Sequence, residues 1–422
     1  MFYGWVILAA CSSIYFLAVG TVTYGFSIII PDIITATGWS RSQASLGFTL
    51  LVLAFGLLAP VAAMAIGRIG ARRTMGIGSL IATAFAISCF YMNSLLQYYF
   101  MVLGLALGIA MLGGVACPHT LTNWFSRKRT LALGVYLCSG GMGAFFAAPS
   151  ISLLVRSTGN WRYAWLAMAF ATIVGGVIAI IFVRDSPKDK GTFIDGIDPA
   201  LAAANPAVVA SKGVYQTDIS WEVKDAVRSA PFWLTVIAAS AVVYGILAVT
   251  SQAMLHLPAK GISAITAASA IGIIGLFGTG GRLLTGFLGD RIDPKHILCF
   301  GLSLEALAVL MLIYVDSVFM TYAIAVVMGA GSGMALVANP ALVASYFGNR
   351  NYAGLIAVNT VVVVVLGSLG PYITSRIFDM VGSYTPAFLG FSILSLLSVL
   401  SMIWMRPPGF KDSPAGALQP AQ

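Results

Sequence analysis

The chain has 422 residues, 59% of them hydrophobic and only 9% charged, with a mean hydropathy of +0.93. That makeup lies far from the soluble globular range and places nearly the whole length in a lipid bilayer. The formal net charge of +9 is explained by basic loops at one membrane face and implies no nucleic-acid partner.

Apolar stretches of about the 20 residues needed to cross a bilayer are predicted at 5–31, 42–66, 74–93, 97–122, 130–155 and 162–183. A second set is predicted at 231–257, 263–288, 295–315, 318–343, 351–375 and 384–405. The first stretch is too long for a signal peptide and lacks a basic leader, so no cleavage is expected. Residues 184–230 read as a linker, with a Pro/Ala-rich middle and an apolar-periodic end from Ser220 to Arg228 that is suited to a membrane surface. The expected organisation is an N-terminal six-helix bundle (1–183), this linker, a C-terminal six-helix bundle (231–405) and a tail (406–422).

The two sets are copies of one unit. Pro118, Trp124, Phe125 and Pro149 recur at one constant offset as Pro340, Tyr346, Phe347 and Pro371. The fold class is therefore all-α integral membrane, with twelve transmembrane helices in two pseudo-symmetric bundles. Such duplicated bundles hold a substrate between the halves and expose it to each side in turn, so transport is the first expectation.

Most Lys and Arg residues fall on one side, in clusters such as Arg68-Arg72-Arg73 and Arg127-Lys128-Arg129. The opposite side has Arg41, Arg156, Arg162, Lys260 and Arg376. The bias predicts cytoplasmic termini in a plasma (inner) membrane. The five cysteines lie within predicted spans and read as small buried hydrophobes. Gly-rich faces, among them Gly140-Gly141-x-Gly143 and Gly278-x-Gly280-Gly281, fit close helix packing.

Arg282 stands inside the eighth span, eight residues before Asp290 and so roughly 12 Å along a helix from the loop. A guanidinium is costly in lipid, so it should face water and an anion, and its planar fork suits a carboxylate. His256, near the outer end of span 7, and His119, in span 4, carry side chains able to titrate near neutrality. Glu305 lies deep in span 9. A neutral acid is far cheaper there than an anion, which makes it a third candidate proton carrier. Tyr24 and Ile28 (span 1), Phe145 (span 5), Asn339 (span 10) and Asn359 (span 11) complete the expected substrate contacts. No phosphate-binding loop, metal-ligand spacing or catalytic triad is visible, so neither a cofactor, a metal nor an enzymatic activity is expected.

Gly286 to Lys295, containing Gly289-Asp290-Arg291, resembles the Gly-x-x-x-Asp-Arg loop of the major facilitator superfamily. The matching first-half loop keeps Arg68, Arg72 and Arg73 but has Gly67 where the family has Asp. The resemblance implies gating by Asp290 and Arg291, with Arg68, Arg72 and Arg73 as weaker counterparts. Tyr3-Gly4-Trp5, Gly38-Trp39-Ser40-Arg41, Trp124 to Gly134, His256 with Lys260-Gly261-Ile262-Ser263, and Gly281-Arg282-Leu283-Leu284-Thr285-Gly286 resemble the monocarboxylate transporters and bacterial oxalate/formate exchangers. In that branch the matching Arg binds the substrate carboxylate and the matching helix 7 His suggests a substrate or gate contact. Two departures matter. Gly278 replaces the Asp that takes part in proton coupling in animal members, and Asn359 stands on the helix where oxalate exchangers have an additional basic residue. One fixed cation favours a monocarboxylate. The expectation is a monomeric lactate- or pyruvate-like carboxylate/proton symporter. The alternatives are an oxalate/formate-type exchanger and, in another class, a non-transporting sensor with a carrier fold.

Overall fold

The structure, a computed structural model, describes residues 2–125, 129–194, 217, 221–288, 292–348 and 351–408. In lipid every backbone polar group must be satisfied internally, and each predicted span is a helix. These are α1 (Gly4–Thr37), α2 (Arg41–Leu57 and Ala59–Ile69), α3 (Ala71–Phe90), α4 (Leu95–Trp124), α5 (Arg129–Thr158) and α6 (Arg162–Phe182). The second bundle has α7 (Ala230–Ala259), α8 (Ala264–Leu288), α9 (Pro294–Ile313), α10 (Val318–Phe347), α11 (Tyr352–Ser368 and Gly370–Val381) and α12 (Thr385–Trp404). Twelve crossings return the chain to the side on which it started. The termini, the α2–α3 loop and the α6 end therefore mark the terminal side, and the α1–α2 and α11–α12 loops mark the far side.

Local chemistry sets the breaks. α2 bends by 42° at Leu58, where Pro60, in the first turn of the second segment, has no backbone N–H to donate. α1 and α11 both stop at a left-handed glycine, Gly38 (φ 72°) and Gly382 (φ 73°). α2 restarts at once, with a capping box between Ser40 and Gln43.

The duplication reappears in the tertiary contacts. Arg72, at the start of α3, donates through Nε to the Ile180 carbonyl near the end of α6 at 2.9 Å. In the second bundle Lys295, at the start of α9, donates through Nζ to the Ile403 carbonyl near the end of α12 at 3.3 Å. Each bundle is thus tied at the terminal side by a cation on a helix-end carbonyl, an arrangement the helix macrodipole favours.

The end of the linker region is docked onto the second bundle. Trp221 is 2% exposed, its ring lies 5.9 Å from that of Phe347, and Asn351 Nδ2 donates to its carbonyl at 2.9 Å. A short helix, Val223–Arg228, follows and leads into α7. The predicted gating pair Asp290 and Arg291 lies outside the described residues.

Glycine sets how closely the helices approach. A Cβ on Gly20 of α1 would stand 2.8 Å from Gly143 Cα of α5, and one on Gly333 of α10 would strike the Gly278 carbonyl of α8. Substituting Gly333→Ala should cost about 1–3 kcal/mol through overpacking against that backbone. Gly390→Ala, with nothing within 4 Å of the added carbon, should leave stability unchanged or raise it by up to about 1 kcal/mol, since alanine is the better helix former. Thermal unfolding of the two purified variants, compared side by side, checks this.

Candidate functional site at the bundle interface

The bundles meet chiefly at two helix pairs, with α1 also against α7. α5 lies against α8, where a Cβ on Gly141 would come 2.5 Å from the Gly275 carbonyl, and α2 lies against α11. Arg282 belongs to the first seam. Its Nη1 crosses from α8 to the Leu137 carbonyl of α5 at 2.7 Å, so one residue of the second bundle grips the backbone of the first. No carboxylate pairs with it among the described residues. A half-buried guanidinium held by a single carbonyl retains unused donors and a full charge.

The side chains around it come largely from α1. The Arg282 charge acts on the hydroxyls of Tyr15 and Tyr24 and on the Cys138 thiol. Neither tyrosine hydroxyl has a hydrogen-bond partner among the described residues. Tyr15 packs its ring 4.4 Å from Tyr136 of α5, and Tyr136 donates to the Gly113 carbonyl of α4 at 2.7 Å. Both α1 and α4 change hydrogen-bond register here, with π-turns at Phe16–Gly20 and Ala110–Gly114. Such turns frequently mark functional sites. The seam thus carries one cation with two phenols inside the range of its charge, groups of the kind that hold a singly charged oxyanion.

The other predicted residues are distributed elsewhere. Asn339 and Asn359 meet, with Nδ2 of Asn339 donating to Oδ1 of Asn359 at 2.9 Å, and their second polar atoms are buried without partners. His256 is 7% exposed, bonds through Nε2 to the Leu312 carbonyl at 3.0 Å, and lies edge-on to Tyr384 and Phe388. It is fixed at the far side within the second bundle. His119 is exposed and contacts Asn123 at 3.3 Å. Glu305 is fully buried with both oxygens unpartnered. Ile28 is buried, and Phe145 sets its ring against Phe146, eight residues beyond Leu137 and so roughly 12 Å along α5. Arg68 and Arg73 are exposed, and Arg72 is held at the α6 end.

A second constellation, absent from the sequence expectations, seals the far side. The α2 N-terminus presents the Ser42 N–H to Asp379 Oδ2 of α11 at 3.0 Å, a carboxylate at a positive helix end. Arg41 stacks 3.8 Å above the Phe378 ring and donates to Tyr384 Oη at 2.7 Å. Tyr384 donates to Gln252 Oε1 at 3.0 Å, and Gln252 Nε2 donates to Ser45 Oγ at 3.3 Å. Ser375 donates to the same Ser45 oxygen at 2.7 Å. The bonds zigzag between bundles, with Arg41, Ser42 and Ser45 on one and Gln252, Ser375, Asp379 and Tyr384 on the other. Gln252, a lone amide in an apolar helix, was the available sequence signal.

A family model described as Major Facilitator Superfamily matches residues 11–295 and 261–421. The uncharacterized MFS-type transporter YhjX of Escherichia coli is 26% identical over 74% of this chain and 73% of its own length. Monocarboxylate transporter 12 of Rattus norvegicus is 23% identical over 93% and 83%. Human monocarboxylate transporter 11 is 31% identical over a shorter region, 40% of this chain and 36% of its own. Among solved structures, a bacterial homolog of the human lysosomal transporter Spinster, in an inward-facing and occupied conformation, superposes with a TM-score of 0.71 at 17% identity, covering both chains fully.

The far-side lock should be weakened by Asp379→Asn. Losing a charge-assisted bond of about 1.5–3 kcal/mol should raise the population open at that end by about tenfold or more. Distance distributions between spin labels at Thr35 and Ser383 should gain a longer component, and an unchanged distribution would remove Asp379 from the lock.

Proposed function

The chain belongs to the Major Facilitator Superfamily, and we propose on that premise that this transporter carries small monocarboxylates, of the lactate or pyruvate class, by alternating access with proton symport. The observation that carries this reading is Arg282, an intramembrane guanidinium that bridges the bundles without a carboxylate partner among the described residues, with the Tyr15 and Tyr24 hydroxyls, also unpartnered there, within reach of its charge. A charge placed so expensively is retained for an anionic guest. The relatives named as monocarboxylate transporters support the substrate class.

Substrate binding and gate opening are coupled in this scheme through the Arg282–Leu137 bond. A carboxylate bound bidentately by the guanidinium competes with the Leu137 carbonyl for donors. Occupancy therefore loosens one inter-bundle tie on the α5–α8 seam, where Thr279 Oγ1 still donates to the Cys138 carbonyl at 3.2 Å, and leaves the far-side bonds as the larger barrier. The basic bias assigns the terminal side to the cytoplasm, which puts the closed far-side bonds of this conformation on the outer face. Of the three proton candidates, His119 alone is exposed, whereas His256 is bonded to Leu312 and Glu305 is sealed. We therefore assign the proton step to His119. A dianion exchanger would need a second fixed cation near Arg282, and the amide pair of Asn339 (α10) and Asn359 (α11) carries no charge.

Uptake of labelled lactate into proteoliposomes, with and without an inward proton gradient, tests the assignment. Gradient-driven accumulation supports symport. Exchange only in vesicles preloaded with oxalate would replace symport with the antiporter, and transport of neither would remove the carboxylate assignment. Arg282→Lys should lower kcat/KM by about 10–100-fold, because the forked donor is lost while the charge is kept. Tyr24→Phe should raise KM by about two- to tenfold with kcat little changed. His119→Gln should flatten the pH dependence of uptake; a retained pH profile would move the proton step to another group.

A further inference from the structure

A groove of about 950 Å³ opens on the flank of the first bundle between α3 and α6, at the terminal side. It runs from Gly70 to Leu80, roughly 15 Å along α3. Its walls are Ile77, Leu80, Ile173 and Val177, and its mouth carries Arg72, Arg73 and Asp185. Ile77, Leu80 and Val177 are 43%, 63% and 49% exposed, so the slot faces the hydrocarbon of the bilayer. Gly76 keeps it open: a Cβ there would meet only the Ile180 side chain, at 3.6 Å.

The charges at the mouth are unequally committed. The Asp185 carboxylate accepts the Arg72 backbone N–H at 2.7 Å, so it caps the start of α3. The Arg72 guanidinium is spent on the Ile180 carbonyl. Arg184 donates to the Ile181 and Val183 carbonyls, Lys190 lies over the Tyr3 ring, and Asp189 is held by Ser186. Arg73, by contrast, is exposed and its side chain has no partner among the described residues; the same holds for Arg68 nearby. An uncommitted cation therefore stands at the membrane-surface end of an apolar slot.

We propose that this groove binds an anionic phospholipid, with its phosphate on Arg73 and one acyl chain laid along Ile77, Leu80, Ile173 and Val177. The two ends of the site call for the two ends of one molecule. A soluble phosphate would satisfy Arg73 but leave the apolar walls unused, whereas a zwitterionic lipid would fill the slot with less gain at the mouth. The site lies within the first bundle, away from the α5–α8 seam, and does not depend on what is transported.

Native mass spectrometry of the purified full-length chain, incubated with dioleoyl phosphatidylglycerol or dioleoyl phosphatidylcholine, tests the proposal. The wild type should retain one phosphatidylglycerol in preference to phosphatidylcholine by about fivefold, the ratio matching the ~1 kcal/mol of one arginine at an anionic surface. Arg73→Gln should abolish the preference, and Gly76→Leu, which fills the slot, should lower retention of both lipids. Equal retention of the two lipids by the wild type would overturn the proposal, as would a preference that survives Arg73→Gln. Lipid-free dimers would overturn it too, by assigning the face to a second copy. Inorganic phosphate binding as tightly as the lipid would show that the slot contributes nothing. Matching melting temperatures of the variants and wild type separate loss of the site from loss of the fold.

Discussion

The structure turns on the cost of leaving a guanidinium unsolvated between helices. Arg282 cannot face lipid, and it has no acid to neutralise it among the described residues, so it must reach across to the other bundle for an oxygen. That reach makes the α5–α8 seam a place where the halves are electrically as well as sterically joined. The glycines at Gly141 and Gly275 permit it, because bulkier residues would hold the two backbones apart. A carbonyl is a weak partner for a full charge, and a carboxylate would outcompete it. The same contact is thus strong enough to order the seam and weak enough to be exchanged.

The far side is built on a different principle. Its bonds are individually ordinary, but they alternate between bundles, so sliding one bundle past the other breaks several of them together. Asp379 at the α2 N-terminus and Arg41 over Phe378 are charged contacts near the surface, where water can replace them as they part. Gln252 and Ser45 lie deeper and are buried. An apolar plug would close as tightly, but it would offer no defined register for reclosure. Hydrogen bonds supply register because they demand distance and angle.

How much of this could be read from residues alone depended on dimension. Span lengths and the internal repeat are properties of a line, and all twelve helices form where hydropathy places them. Arg282 was legible because a charge in an apolar run is conspicuous. Tyr15 was not, because the chain has many aromatic residues and only the packing against Tyr136 distinguishes this one. His256 shows the converse. Its polarity attracted attention, yet the Leu312 carbonyl holds its Nε2 at the far side. The departure at Gly67 takes physical form in Asp185, a carboxylate from the α6 end that caps α3 within the same bundle. No reading of the α2–α3 loop by itself would have found that partner.

The π-turn of α1 sets the phase of the helix on either side of it. In an uninterrupted α-helix, nine residues turn the chain through about two and a half revolutions, so Tyr15 and Tyr24 would point to opposite faces. The wide turn at Phe16–Gly20 absorbs about one extra residue and winds the upper segment back by roughly 100°. Both phenols can then address the same cation. A helical wheel drawn over the whole of α1 would assign one of them to lipid. The face that α1 turns toward this cation is therefore two short helical faces spliced out of phase, and the splice lies at Gly20, which packs against Gly143 of α5.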